Sequence, residues 1–148
     1  MTVIAYRDGI MAADKQGTFG EAKINDAVKV FSNDMWVIGF GGYPRSLRPF
    51  LEAIFTCEED TPPKLSDFFN DKDTFGAYAL CVNRKTKKVF RYDGCGYPYE
   101  EFGEYAAAGS GMDCALGAMF VGASAVDAVR AAIAHNTGCG GEVDFIQV

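Results

Sequence analysis

The chain has 148 residues, 49% of them hydrophobic and 14% aromatic, which is enough apolar surface for one well-filled core and a single domain over 1–148. Its 14 basic and 20 acidic residues give a net charge of −6, and no Lys/Arg run is long enough to track a phosphate backbone, so nucleic acid is not an expected partner. No apolar stretch approaches the ~20 residues of a membrane-spanning helix, and the start Met1-Thr2-Val3-Ile4-Ala5-Tyr6 lacks the basic and long apolar regions of a signal peptide. The cysteines (Cys57, Cys81, Cys95, Cys114, Cys139) are odd in number, widely spaced and free of any Cys-x-x-Cys pair, so the expectation is reduced thiols in the cytoplasm, with no metal and no other cofactor.

Residues 2 to 13 alternate as strands do around Arg7-Asp8-Gly9, and an Asp-Gly pair between two apolar runs signals a tight hairpin. Residues 14 to 27 are polar and glycine-bearing, a loop or short strand pair. Val28–Phe31 and Met35–Phe40 predict two strands around Ser32-Asn33-Asp34, ending at Gly41-Gly42. Pro44 suits a first helical turn, and Leu47, Phe50, Leu51, Ile54 and Phe55 recur at helical spacing to about Cys57. The stretch from Glu58 to Asp73, with Pro62-Pro63 and a short helical pattern from Leu65 to Phe69, reads as a connection. Phe75–Val82 and Lys88–Tyr92 bracket a second hairpin, and 93 to 103 reads as a loop.

Tyr105–Ala108 predicts a short strand, and Gly109-Ser110-Gly111 leads into a helix bearing Ala115, Leu116, Met119 and Phe120. Ser124 is the expected N-cap of a second helix, with Gly138 beyond its end and His135 meeting its final carbonyls. Val143–Val148 closes the chain as a strand. Hairpins rather than alternating strand–helix units predict an α+β fold with two antiparallel sheets face to face and a helical layer outside each.

Several segments, in order, resemble the proteasome β-subunit and HslV family of N-terminal-nucleophile hydrolases. They are Thr2 near the start; Asp8-Gly9 with Ala12-Ala13-Asp14; Gly17-Thr18-Phe19-Gly20; Lys29-Val30; Gly41-Gly42; Gly109-Ser110-Gly111; and Gly138-Cys139-Gly140-Gly141 before Val143-Asp144. Taken singly each has a bland reading: Thr2 a strand residue, Asp14 and Lys29 paired charges, Gly41-Gly42 a turn, Gly109-Ser110-Gly111 a flexible approach to a helix. Their joint order carries the resemblance.

It implies a four-layer αββα sandwich and a threonine peptidase. A hydroxyl is a weak nucleophile unless a base stands beside it, and the α-amine of an N-terminal threonine, freed by removal of Met1, is such a base. By resemblance Lys29 is the active-site lysine that lowers the pKa of that amine, Asp14 its partner, and Ser110 the serine beside the nucleophile. Gly41 or Gly42 supplies the backbone N–H of the oxyanion hole, and Thr18 pairs with an extended substrate. The resemblance also implies a ring or other homo-oligomer, polypeptide substrates and an unfolding ATPase as partner.

The pattern departs from the family at two positions: the aspartate and serine usual before the last strand are Asn136 and Cys139 here. Asparagine hydrogen-bonds without holding charge, and a thiol is a weaker donor than a hydroxyl. The opening hairpin and the middle of the chain are also shorter. These departures define a second expectation, a catalytically inactive structural or assembly protein. Short relatives of this kind resemble proteins carried by bacteriophages, which would make the chain virion-associated. A third expectation is an amidase acting on a small molecule with the same chemistry.

Overall fold

The computed structural model describes residues 1–65, 77–94 and 96–148. In chain order the elements are β1 (Val3–Arg7), β2 (Ile10–Asp14), β3 (Gly17–Phe19), β4 (Ala22–Ile24), β5 (Val30–Ser32), β6 (Trp36–Gly41), α1 (Pro44–Phe55), β7 (Tyr78–Asn83), β8 (Val89–Asp93), β9 (Pro98–Glu101), β10 (Tyr105–Gly109), α2 (Met112–Phe120), α3 (Ala125–His135) and β11 (Val143–Gln147). A four-stranded sheet runs β10-β1-β2-β11 and a five-stranded sheet β5-β6-β7-β8-β9, every pairing antiparallel, while β3 and β4 form a separate pair.

The period-2 alternation of the strands decides which residues fill which core. Val3 and Ala5 of β1 face α2 and α3, among Ala115, Met119, Val129 and Ala132. Ile4 and Tyr6 face the other way, meeting Val37, Leu80 and Val82 of the five-stranded sheet. On the far side of that sheet Trp36, Ile38 and Phe40 meet Phe50 and Ile54 of α1. Edge-to-face packing of Phe50 on Tyr92, with ring centroids 5.1 Å apart, fixes the helix there. The alanines of β10 have both faces covered: Ala107 lies against the helices, Ala106 and Ala108 against the other sheet.

Local chemistry sets the ends of these elements. Asp8 (φ 50°) and Gly9 (φ 76°) both take positive φ, as a two-residue hairpin turn with Arg7 opposite Ile10 demands. Pro44 opens α1. The Ser124 side chain accepts from the Asp127 N–H at 3.1 Å and caps α3. Arg7 donates to the carbonyls of Met119 (2.5 Å) and Ala123 (3.2 Å), a cation at the carbonyl end of α2.

One sequence expectation needs adjustment. Residues 98–101, read as part of a loop, form the edge strand β9, where a proline is tolerated because one side makes no ladder. The ion pair Arg91–Glu101 and the Arg91 hydrogen bond to the Ala107 carbonyl (2.6 Å) hold that edge, and both are contacts remote in sequence from any turn signal. Of the two readings given for 14–27, a loop or a short strand pair, the structure shows the strand pair, β3 with β4. The helical pattern expected up to Phe69 and the strand start expected at Phe75 lie outside the described residues.

Candidate functional site

Asp14 ends β2 with no solvent exposure. Its Oδ1 accepts from the Val3 N–H (3.0 Å) and the Lys29 ammonium (2.8 Å), and its Oδ2 from the Gly140 N–H (3.0 Å) and, more weakly, the Gln16 N–H (3.4 Å). One carboxylate therefore ties together the start of β1, the end of β2, the approach to β5 and the loop before β11. A buried carboxylate is tolerable only with such partners. Burial pulls the Lys29 pKa below the usual lysine value, and hydrogen bonding and charge attraction from Asp14 partly offset that.

Thr2 is buried at 3% exposure, immediately before β1. Its N–H donates to Ser110 Oγ (3.1 Å), and its carbonyl accepts from Ser110 Oγ (3.2 Å) and from the Gly111 N–H (3.1 Å). The Lys29 ammonium donates to the neighbouring Met1 carbonyl at 3.3 Å. Gly109, at φ 93°, makes this approach possible: a Cβ there would stand 2.2 Å from the Thr2 carbonyl oxygen.

Asn136 and Cys139 stand behind Ser110. Asn136 Nδ2 donates to the Ser110 carbonyl (2.9 Å) and its Oδ1 accepts from the Gly138 N–H (2.8 Å), so the amide ties the serine loop to the turn at 136–138 without a charge. The Cys139 sulfur lies 4.0 Å from Ser110 Oγ. Burial, reinforced by the Asp14 carboxylate, pushes the Cys139 thiol pKa up.

Thr2 opens into a cleft of about 570 Å³ whose walls include Thr18, Lys29, Gly41, Gly42 and Leu47. That volume is within the range of small-ligand sites, roughly 300–1,000 Å³. All nine residues singled out in the sequence thus lie at the cleft or bonded behind it: Thr2, Thr18, Lys29, Gly41 and Gly42 line it, and Asp14, Ser110, Asn136 and Cys139 support it. Among the described residues no group of three His, Cys, Asp or Glu side chains is placed to hold a metal ion, and no helix is long and apolar enough to cross a membrane.

Tyr78 also lines this cleft, and sequence reasoning missed it. It begins β7 directly opposite Gly41 of β6, and its ring lies against Gly41 and Gly109, where a Cβ on either glycine would meet it. Burial raises the Tyr78 pKa, and the Asp14 charge adds to that rise. Nothing in a run of Phe75 to Val82 distinguishes this tyrosine until the β6–β7 register is known.

Solved structures match the chain over nearly its whole length. BPH from Thiobacillus denitrificans in complex with epoxomicin is 19% identical with a TM-score of 0.75, covering 99% of this chain and 97% of that one. A second structure of Thiobacillus denitrificans BPH is 19% identical at TM-score 0.71, covering 99% and 96%. Eukaryotic HslV from Trypanosoma brucei is 21% identical at TM-score 0.71, covering 98% and 97%. No protein-family model matches the sequence, and no curated protein does. The chain has the fold of HslV and BPH, an α+β fold of antiparallel sheets with three helices among the described residues.

Proposed function

We propose that the chain is a threonine peptidase of the proteasome β-subunit and HslV family, built as a four-layer αββα sandwich, with Thr2 as its nucleophile once Met1 is removed. The observation that carries this reading is the buried Thr2 held by Ser110 in the wall of a cleft, with the Lys29–Asp14 pair beside it.

The steps follow from these groups. Loss of Met1 leaves an α-amine where the Thr2 N–H now points at Ser110 Oγ. That amine, with an ordinary pKa of about 7.7–8.0 further lowered by the nearby Lys29 charge, takes the proton as Thr2 Oγ attacks a peptide carbonyl. The oxyanion is met by the N–H of Gly41 or Gly42. Collapse passes the proton to the leaving amine and leaves an ester on Thr2, which water hydrolyses with the amine again as base. An extended polypeptide pairs with the backbone at Thr18 and at 41–43, adding a strand to the cleft walls.

The same reading carries a cytoplasmic homo-oligomeric ring with its clefts turned inward and an unfolding ATPase as partner. Exposed Phe19, Phe102, Phe120, Val121 and Phe145 support burial against further copies. Epoxomicin, which the similar BPH structure contains, is the natural probe. The intact mass of the purified protein is expected to lack Met1 and to gain one epoxomicin adduct, mapped to Thr2. Thr2→Ala should abolish both adduct and peptide turnover while shifting the melting temperature by only a few degrees. Retention of Met1 with no adduct overturns the reading.

A further inference from the structure

We propose that Gln16 is a substrate-binding residue of the cleft, its side-chain carbonyl accepting a main-chain N–H of an extended peptide. The proposal rests on the reading of the cleft as a peptide site. Gln16 directly precedes β3 and lines the cleft with Thr2, Gly17 and Thr18, yet it is only 4% exposed. Among the described residues its Oε1 is the one buried side-chain polar atom without a hydrogen-bond partner. The main chain around it is anchored by contrast. The Gln16 and Gly140 N–H groups share Asp14 Oδ2 (3.4 and 3.0 Å), and the Lys15 N–H donates to the Gly140 carbonyl (3.1 Å). Gly140 makes the seat for the carboxamide, since a Cβ there would stand 2.1 Å from Oε1 and 3.1 Å from Cδ of Gln16.

A buried carbonyl without a donor is costly, and a ligand that brings an N–H offsets that cost. The terminal torsion of a glutamine is broad, so the carboxamide can turn from Gly140 towards the cleft without moving the anchored main chain. An extended peptide supplies donors at a suitable spacing, because its same-facing N–H groups recur every two residues, about 6.8 Å apart. Gln16 and Thr18 are likewise two residues apart along one wall of the cleft, so a strand paired at Thr18 would bring its next such N–H to Gln16. The main chain is common to all peptides, and the contact therefore favours polypeptides in general over any one side chain. It acts on bound substrate and transition state alike, so its signature is a raised KM with kcat unmoved when it is lost.

The test is Gln16→Met, which keeps an unbranched side chain of similar length and removes the carbonyl. In the Met1-free protein, short end-blocked peptides with apolar, acidic or basic side chains should all show a roughly five- to tenfold rise in KM at unchanged kcat. Calorimetric binding of the same peptides to Thr2→Ala, which holds them uncut, should weaken by the same factor when Gln16→Met is added. Replacing the peptide amides by esters one at a time should find one position whose loss of affinity vanishes in Gln16→Met. Because the substitution also removes an unpaired buried acceptor, Tm should hold or rise by a few degrees. Peptides that do not bind, an affinity that Gln16→Met leaves unchanged, a loss confined to one class of side chain, or an ester scan with no such position overturns the proposal. So does a Tm lowered by several degrees, which would mean that Oε1 already has a donor in the folded protein. An epoxomicin adduct on Thr2 beside any of these results leaves the peptidase reading standing; peptide binding that depends on Gln16 in a protein that takes no adduct keeps the proposal and sinks the peptidase reading.

Discussion

Replacing Asp14 by asparagine keeps the shape of the side chain and removes its charge, which isolates the role of the carboxylate. In whichever orientation the amide settles, an NH2 replaces an oxygen that now accepts two bonds. Facing Lys29 it would oppose the ammonium at 2.8 Å and the Val3 N–H at 3.0 Å; facing the other way it would oppose the Gly140 N–H at 3.0 Å and the weaker Gln16 N–H at 3.4 Å. The second orientation loses less, yet it still orphans a good buried donor, at about 1–3 kcal/mol, and leaves a buried ammonium without a counter-charge. Removing one member of a buried ion pair costs about 3–5 kcal/mol, and that range bounds the total. At roughly 2–4 °C per kcal/mol for a domain near this size, Tm should fall by about 6–20 °C.

Thermal and urea unfolding followed by circular dichroism measure the loss. Asp8→Asn is the control, since Asp8 sits at 87% side-chain exposure and asparagine tolerates its φ of 50°, so no measurable change is expected. A loss below about 1 kcal/mol for Asp14→Asn would refute the claim that this carboxylate is the node joining four segments. A loss as large in Asp8→Asn would show that the comparison reports charge removal in general.

Gly41→Ala should cost about 1–3 kcal/mol through overlap with the Tyr78 ring, measured by urea unfolding, and Tyr78→Ala in the same chain should recover most of it. Gly109→Ala should cost more than Gly41→Ala and resist that rescue, because its Cβ meets the backbone of Thr2 at a φ of 93°. The folded-state pKa of Lys29 is depressed by burial, so between it and the ordinary 10.5 the folded protein binds fewer protons than the unfolded chain. The stability Lys29 contributes is then fully present above that window and lost as pH falls through the folded-state value. The Tm difference between wild type and Lys29→Met, followed from neutral pH upward, should shift in favour of wild type; a flat or falling difference contradicts the sign.

Much of the molecule is written in short stretches of sequence. Asp8-Gly9 specifies a turn with two positive φ values, Ser124 a helix cap, Pro44 a helix start, and the alternation in β1 and β6 two opposite buried faces, because each depends on residues a few positions apart. The ordered motifs from Thr2 to Cys139 also anticipated which side chains would gather, since their spacing follows the resemblance to a known pattern. Tertiary structure decided what depends on register and on edges. Strand β9 exists because β8 offers an open side, and nothing in the residues from 93 to 103 announces it. Tyr78 reaches the cleft that Thr2 lines because β7 pairs with β6 so that a glycine stands opposite, and a one-residue slip would turn the ring to the other face. Pairing between strands tens of residues apart is fixed by the summed packing of whole sheets, and that sum is present in the folded chain and in no local run of it.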